Sequence, residues 1–295
     1  MACEITVIGK RVNLWVFESG NNPSREVLMK RCFAALLTST FMTAVGPANA
    51  AEFGLDYVDH ERGGVREVPH LRISGPIVSG DTEHLRQAVL KNRQDFLHTS
   101  GIDIDSPGGS VLEAMELGRL VRSLYLPLNV NEGQHCLSAC FLVFVAAVDR
   151  HAAGPDKLGV HRAFFSPEAV SNLDLAVLDK EQRALRGQMR SYLDEMEVPA
   201  AIQDRMQAYA SSEVLWLSPS EVWSIGMMAS FWQEALVARC GLNVAAYKGL
   251  MTSHNDAEAA PYLERLDGFW DCNVALKRAE MQKTFDRLQV VHPAK

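Results

Sequence analysis

Gly108 and Gly109 are adjacent in the string Ser106-Pro107-Gly108-Gly109-Ser110, directly after the alternating segment Ile102-Asp103-Ile104-Asp105. Glycine at a strand-to-helix turn leaves backbone N–H groups uncrowded, and N–H groups fixed in this way can hold a developing oxyanion. The same pair also suits a turn that needs only glycine's conformational range. Ser138 lies at the start of an apolar run, between Leu137 and Ala139, with Cys136 and Cys140 outside them. A serine there serves equally as a helix cap or a core hydroxyl. His161 closes the segment Leu158-Gly159-Val160, where most histidines are hydrogen-bonded core or edge residues. No one of these residues is specific. Their order is more telling: a glycine turn, then a serine at a helix start, then a histidine at a strand end.

The elements that must position them follow from periodicity. Leu71-Arg72-Ile73-Ser74 and the residues to Val78 alternate as a strand, and Ser79-Gly80-Asp81 supplies turn and cap chemistry. Residues 82–97 carry apolar side chains at helical spacing, 102–105 form a short strand, and 110–124 form a helix with one broad apolar face. Residues 126–130 return as a strand, and 136–148 are dense enough in apolar side chains to predict a buried helix. The strand 158–161 follows. Strands alternating with helices predict an α/β core with parallel strands. Residues 176–196 form a long amphipathic helix, 199–209 another, and Ser218-Pro219-Ser220-Glu221 is a capping box that starts a third. Residues 51–69 are polar and predict an irregular lead-in, while 258–290 are helical and charged.

Of 295 residues, 47% are hydrophobic and 22% charged, with 29 Lys+Arg against 36 Asp+Glu and a net charge of −7. This composition is globular and offers no basic stripe, which argues against nucleic acid as a partner. No apolar run reaches the length of a membrane span, so no stable membrane span is expected. Met29-Lys30-Arg31, the apolar residues 32–45, and Ala48 and Ala50 have the three parts of a secretory signal peptide. Cleavage between Ala50 and Ala51 would make residues 29–50 the signal and residues 1–28 an over-long start or a dispensable leader. The mature protein is then expected in the periplasm or outside the cell, where cysteines can be oxidised. Four cysteines remain after cleavage, with three possible connectivities. Cys240 and Cys272 are the candidate disulfide. Cys136 and Cys140, read as neighbours on one helix, are at a spacing that rarely permits a bridge. A zinc site of His135, Cys136 and Cys140 lacks a fourth ligand, so neither metal nor cofactor is expected.

The order of motifs resembles the Clp protease proteolytic subunit and its relatives in the ClpP/crotonase superfamily. The matching stretches are residues 104–111 around Ser106-Pro107-Gly108-Gly109, residues 136–140 around Ser138, and residues 158–162 around His161. Leu71 to Ile77 resembles the family's strand before its first helix, and Trp216 to Glu221 with Ile225-Gly226-Met227 resembles a later family stretch. The similarity spans residues 70–232 and is nearest to exported, cysteine-flanked members. It implies a repeated β-β-α core with parallel strands, a long handle-type helix at 176–196, and a helical C-terminal extension at 233–295.

Carried over by position, the resemblance makes Ser138 a nucleophile and His161 its general base. The amides of Gly108 or Gly109 and of Ala139 become the oxyanion hole. The family's aspartate falls on Val214, and the neighbouring Glu213 is the candidate third member. The implied activity is a serine hydrolase, most readily a peptidase, acting on peptide or protein substrate as a homo-oligomer. Outside the cytoplasm no ATPase partner is expected. With the acid position altered, a catalytically weak or inactive binding or scaffold protein of the same fold is the alternative.

Overall fold

The structure, a computed structural model, describes residues 2–7, 10–15, 50–60, 66–152, 154–165, 174–210, 213–253 and 255–291. It divides into two units, Met1–Pro47 and Ala48–Lys295. In the first, strands β1 (Ala2–Val7) and β2 (Lys10–Trp15) pair antiparallel, Ala2 opposite Trp15 and Val7 opposite Lys10. The expected signal segment, residues 29–50, lies outside the described residues except for Ala50.

The second unit opens with β3 (Glu52–His60), paired antiparallel along its whole length with β4 (Arg66–Ser74). This corrects the expectation of an irregular lead-in at 51–69. Phe53 and Leu55 alternate onto the core while Glu52 and Asp56 are exposed, a period-two pattern that the surrounding polar residues obscure. Helices α1 (Asp81–Lys91) and α2 (Arg93–His98) lead to β5 (Ile102–Asp105). Next come α3 (Val111–Ser123), β6 (Pro127–Val130), β7 (Cys136–Leu137) and α4 (Cys140–Ala146). β8 (Asp149–Ala152) and β9 (Leu158–Val160) complete the alternation.

β4, β5, β6 and β8 run parallel in the order β3-β4-β5-β6-β8, with Ile73 beside Ile104 and Ile102 beside Leu128. The fold is thus α/β with a parallel core. Ile73, Ile102, Ile104, Leu128 and Val130 are fully buried against Leu117 and Val121 of α3 and against α4, every residue of which is buried. Along β5 and β6 the buried residues alternate with less buried polar ones, Ile102 and Ile104 with Asp103 and Asp105, and Leu128 and Val130 with Asn129, so one face of the sheet carries the apolar core.

α5 (Leu175–Glu195), α6 (Ala200–Ala208), β10 (Leu215–Trp216) and α7 (Pro219–Ile225) follow. The capping box at α7 forms as expected: the Glu221 amide donates to Ser218 Oγ and the Ser218 amide to Glu221 Oε2. β7 and β9 run parallel, and β10 pairs antiparallel with β9, making a second sheet in the order β10-β9-β7. The C-terminal region is helical: α8 (Ser230–Cys240), α9 (Val244–Thr252), α10 (Asp256–Glu264) and α11 (Phe269–Val291). It builds its own apolar cluster around Trp232, Leu236, Tyr247, Leu266 and Phe269. The Cys240–Cys272 disulfide ties α8 to α11.

Arg150, only 3% exposed, joins three helices. Its Nε donates to the Ala147 carbonyl at the end of α4 (3.0 Å). Nη1 donates to the Ile225 carbonyl at the end of α7 (3.2 Å), and Nη2 to the Met196 carbonyl at the end of α5 (3.3 Å). Helix C-termini concentrate unpaired carbonyls and partial negative charge, so one buried guanidinium satisfies what three separate caps otherwise must. Burial, with the nearby charge of Arg122, lowers its pKa to about 10, which still leaves it charged at neutral pH. Arg150→Met should therefore cost about 3 kcal/mol or more in chemical denaturation, and Arg150→Lys should recover only part of it.

Candidate active site

The apolar run 136–148 is not one helix. Cys136 and Leu137 form β7, Ser138 has a left-handed backbone (φ 55°), and the helix begins only at Cys140. Left-handed geometry is unfavourable for a residue with a Cβ and persists where the surroundings enforce it. Three contacts enforce it here. The Ser138 amide donates to the Gly159 carbonyl (2.7 Å), extending the β7–β9 ladder by one residue. On the other side Ser106 bridges to Cys136: the Ser106 amide donates to the His135 carbonyl and the Leu137 amide to the Ser106 carbonyl (both 2.9 Å).

The third contact is a disulfide. Cys136 and Cys140, both fully buried, are joined around Ser138, their Cα atoms 5.2 Å apart. The expectation that this spacing would not bridge is corrected. It assumed one helix, whereas a strand, a left-handed residue and a helix start turn the chain back and bring the two Cα atoms within disulfide range.

The glycine turn lies directly on this elbow. Gly108 has φ 89°, and a Cβ there would come within 2.8 Å of both the Ala139 nitrogen and the Ser138 Cβ. Any side chain at 108 would push the turn off Ser138. Gly109 (φ 145°) abuts Ile77, with the Ser110 amide donating to the Ile77 carbonyl (2.8 Å). The three candidate oxyanion donors now separate. The Gly108 amide is occupied, donating to Ser106 Oγ (3.1 Å). The amides of Gly109 and Ala139 have no acceptor among the described residues. Ala139 precedes α4, so its amide also lies at the positive end of a helix, if a short one.

His161 follows β9 immediately. Because Leu137 is level with Gly159, Ser138 is level with Val160, and His161 is one residue further along the adjacent parallel strand. Backbones at that register are about 5 Å apart. Among the described residues the two side chains form no hydrogen bond. Catalytic contacts of this type are commonly loose without substrate and tighten in the complex. His161 Nδ1 is 3.0 Å from the Arg162 carbonyl. A carbonyl only accepts, so Nδ1 carries the proton and the basic lone pair resides on Nε2.

Glu213 and Val214 fall where β10 leads in. With Leu215 opposite Val160 and Trp216 opposite Gly159, continuation of the register puts Val214 opposite His161 and Glu213 opposite Arg162. Val214 packs so closely on Gly159 that a Cβ there would come within 2.7 Å of its Cγ1. Glu213 is exposed, its amide donates to the Ala210 carbonyl, and its carboxylate meets no partner among the described residues. Register thus puts His161 on the strand beside Ser138, Gly108 abuts the Ser138–Ala139 peptide, and Glu213 is exposed and opposite Arg162. Around them lie exposed apolar side chains: Phe164, with its ring 6.0 Å from that of His161, Val214, and Trp216, with its ring 5.8 Å from that of His135.

No protein-family model and no curated protein sequence matches the chain. Among solved structures, similarity extends to the 1510-N membrane-bound stomatin-specific protease. A serine-to-alanine mutant of that protease shares 18% identity over 58% of this chain and 83% of that one, with a TM-score of 0.39. A lysine-to-alanine mutant of it, in complex with a substrate peptide, shares 17% over 58% and 78%, with a TM-score of 0.38. The functional reading therefore rests on the geometry of this chain.

Two substitutions test that geometry. Gly108→Ala should displace the Ser138 elbow and lower any Ser138-dependent turnover at least 100-fold, measured as kcat/KM, through a change at a residue that carries no functional group. Val214→Asp puts a carboxylate opposite the imidazole and should raise kcat by tenfold or more with KM little changed.

Proposed function

We propose that the chain is a serine hydrolase of the ClpP/crotonase type, exported after cleavage between Ala50 and Ala51, that cleaves peptides through an acyl-enzyme on Ser138. One observation carries this reading: a serine held in a left-handed turn, against a glycine turn with room for no side chain, beside two amides that have no acceptor among the described residues. That is a costly way to place a serine whose only task is to cap a helix.

The chemistry follows from the parts. Nε2 of His161 takes the proton from Ser138 Oγ as the oxygen bonds to the substrate's carbonyl carbon. Negative charge moves to the carbonyl oxygen, where the Gly109 and Ala139 amides donate to it. The imidazolium then gives its proton to the departing amine, leaving an ester on Ser138. Water, deprotonated by the same nitrogen, hydrolyses that ester and restores the serine. Phe164, Val214 and Trp216 favour apolar side chains near the scissile bond. Export separates the protein from ATP, so short or unfolded peptides are the natural substrates and no ATPase partner is needed. Leu175 and Val177, exposed at the start of α5, fit a homo-oligomer built through this helix.

A catalytically weak binding or scaffold protein of the same fold is the second reading. The presence of Val214 where an orienting acid would stand favours it. A fluorophosphonate probe separates the two. The hydrolase should be labelled at a single site, lose labelling in Ser138→Ala, and lose at least tenfold of the labelling rate in His161→Ala. A folded protein that takes up no probe, or one labelled equally in Ser138→Ala, would establish the scaffold.

A further inference from the structure

A cavity of about 450 Å³ opens between α11 and the edge of the large sheet, and it shares no residue with the Ser138 centre. One stripe of α11 lines it at helical spacing: Trp270, Asn273, Val274, Lys277, Arg278 and Met281. Leu97 in the last turn of α2, Leu126 and Pro127 at the start of β6, and Met251 on α9 complete apolar walls. The volume is that of a small-molecule site, and the walls combine this apolar surface with polar side chains that include His98, Asn129, His151 and Arg278.

The polar groups of this cavity are unevenly satisfied. Asp149 is buried and fully engaged: His151 Nε2 is 3.0 Å from Oδ1, and the Tyr247 hydroxyl donates at 3.2 and 3.3 Å to the two carboxylate oxygens. Lys277 is not. Its side chain is 14% exposed, its ammonium approaches Asp149 Oδ2 only to 3.9 Å, and it makes no hydrogen bond among the described residues. Burial lowers the Lys277 pKa while Asp149 opposes that shift, as expected for an ammonium short of solvent and of partners. Asn273, 4% exposed, carries an Oδ1 with no hydrogen-bond partner among the described residues. Buried polar groups are normally satisfied, and the Lys277 ammonium, whose one charge partner is 3.9 Å away, keeps donors free to face this cavity.

We propose that this cavity binds an apolar monocarboxylate, its chain between Leu97, Leu126 and Trp270 and its carboxylate on the Lys277 ammonium. Lys277 is partly balanced by Asp149, and Arg278, the other fixed cation of the lining, is engaged through Nε with the Leu97 carbonyl, so a ligand of one negative charge is the better match. A free fatty acid and an N-acylated amino acid both carry this chemistry. The proposal does not depend on the hydrolase reading.

Isothermal titration of the full chain with decanoate, N-octanoylglycine and decanol decides it. At least one carboxylate should bind at tens of micromolar, at least tenfold more tightly than decanol. Lys277→Met should weaken the carboxylates tenfold or more and leave decanol unchanged, and Lys277→Arg should retain binding. Because Lys277→Met leaves Asp149 with fewer partners, Val274→Trp gives a second route. It fills the cavity from a partly exposed position, and should abolish binding while the thermal transition is kept. Ser138→Ala should change nothing. Tighter binding of N-octanoylglycine would assign the acylated amino acid, and tighter binding of decanoate the free fatty acid. The proposal is overturned if neither carboxylate binds below about 1 mM, or if both bind Lys277→Met and Val274→Trp as they bind the parent protein.

Discussion

The approach of Gly108 to the Ser138–Ala139 peptide is the constraint on which the candidate site depends. It requires a glycine with positive φ on one segment and a left-handed serine on the other. The glycine adopts its geometry freely, whereas the serine's is unfavourable alone. Together they let two chain segments meet at backbone distance, and the Gly109 and Ala139 amides beside this contact have no acceptor among the described residues. The surrounding architecture fixes this contact: the β5 end that carries Ser106 is bridged to β7, and β7 is laddered to β9, which ends at His161. The two sheets are thus joined at the Ser106–Cys136 bridge, beside the candidate site.

Stability at this junction comes from covalent and buried polar devices as well as from apolar packing. The Cys136–Cys140 disulfide closes a very short loop and is worth about 2 kcal/mol on a chain-entropy estimate, so its main effect is on the geometry of the elbow. The Cys240–Cys272 loop is longer, with a sequence separation of 32, and contributes about 4 kcal/mol on the same basis. It pins α11 to α8, and α11 carries one wall of the second cavity. Arg150 acts where apolar side chains cannot, collecting the ends of α4, α5 and α7 under a single charge.

Much of this was legible in the sequence. The strand–helix alternation, the glycine turn, the α7 capping box and the order of Gly108, Ser138 and His161 follow from local pattern and spacing, and the structure reproduces those elements. What was not legible has a common cause. β7 is a two-residue strand inside a continuous apolar run, where periodicity cannot separate strand from buried helix. The reading of Cys136 and Cys140 as helical neighbours inherited that error, and so missed the one clue in their placement: two cysteines bracketing a serine at equal distance. β3 was hidden because its outward residues are charged and its inward ones only half-buried. The Lys277 cavity gathers residues from Leu97 to Met281, and no local pattern announces such a meeting.

On the proposed hydrolase reading, Val214 where an orienting acid is expected bears on rate more than on competence. In a serine triad the carboxylate selects the imidazole tautomer and stabilises the imidazolium that forms when the proton moves. Where the wrong tautomer results, about 10⁴-fold in kcat is lost. Here the Arg162 carbonyl performs the first task, since only an Nδ1–H can bond to it, and Nε2 is left basic. The second task is done weakly, because a carbonyl dipole offers less to a cation than a full negative charge. A site so arranged is correctly oriented and under-stabilised in its charged state. It should turn over slowly, with its deficit concentrated in the proton-transfer steps rather than in binding, as expected of a dyad whose base is held by backbone alone.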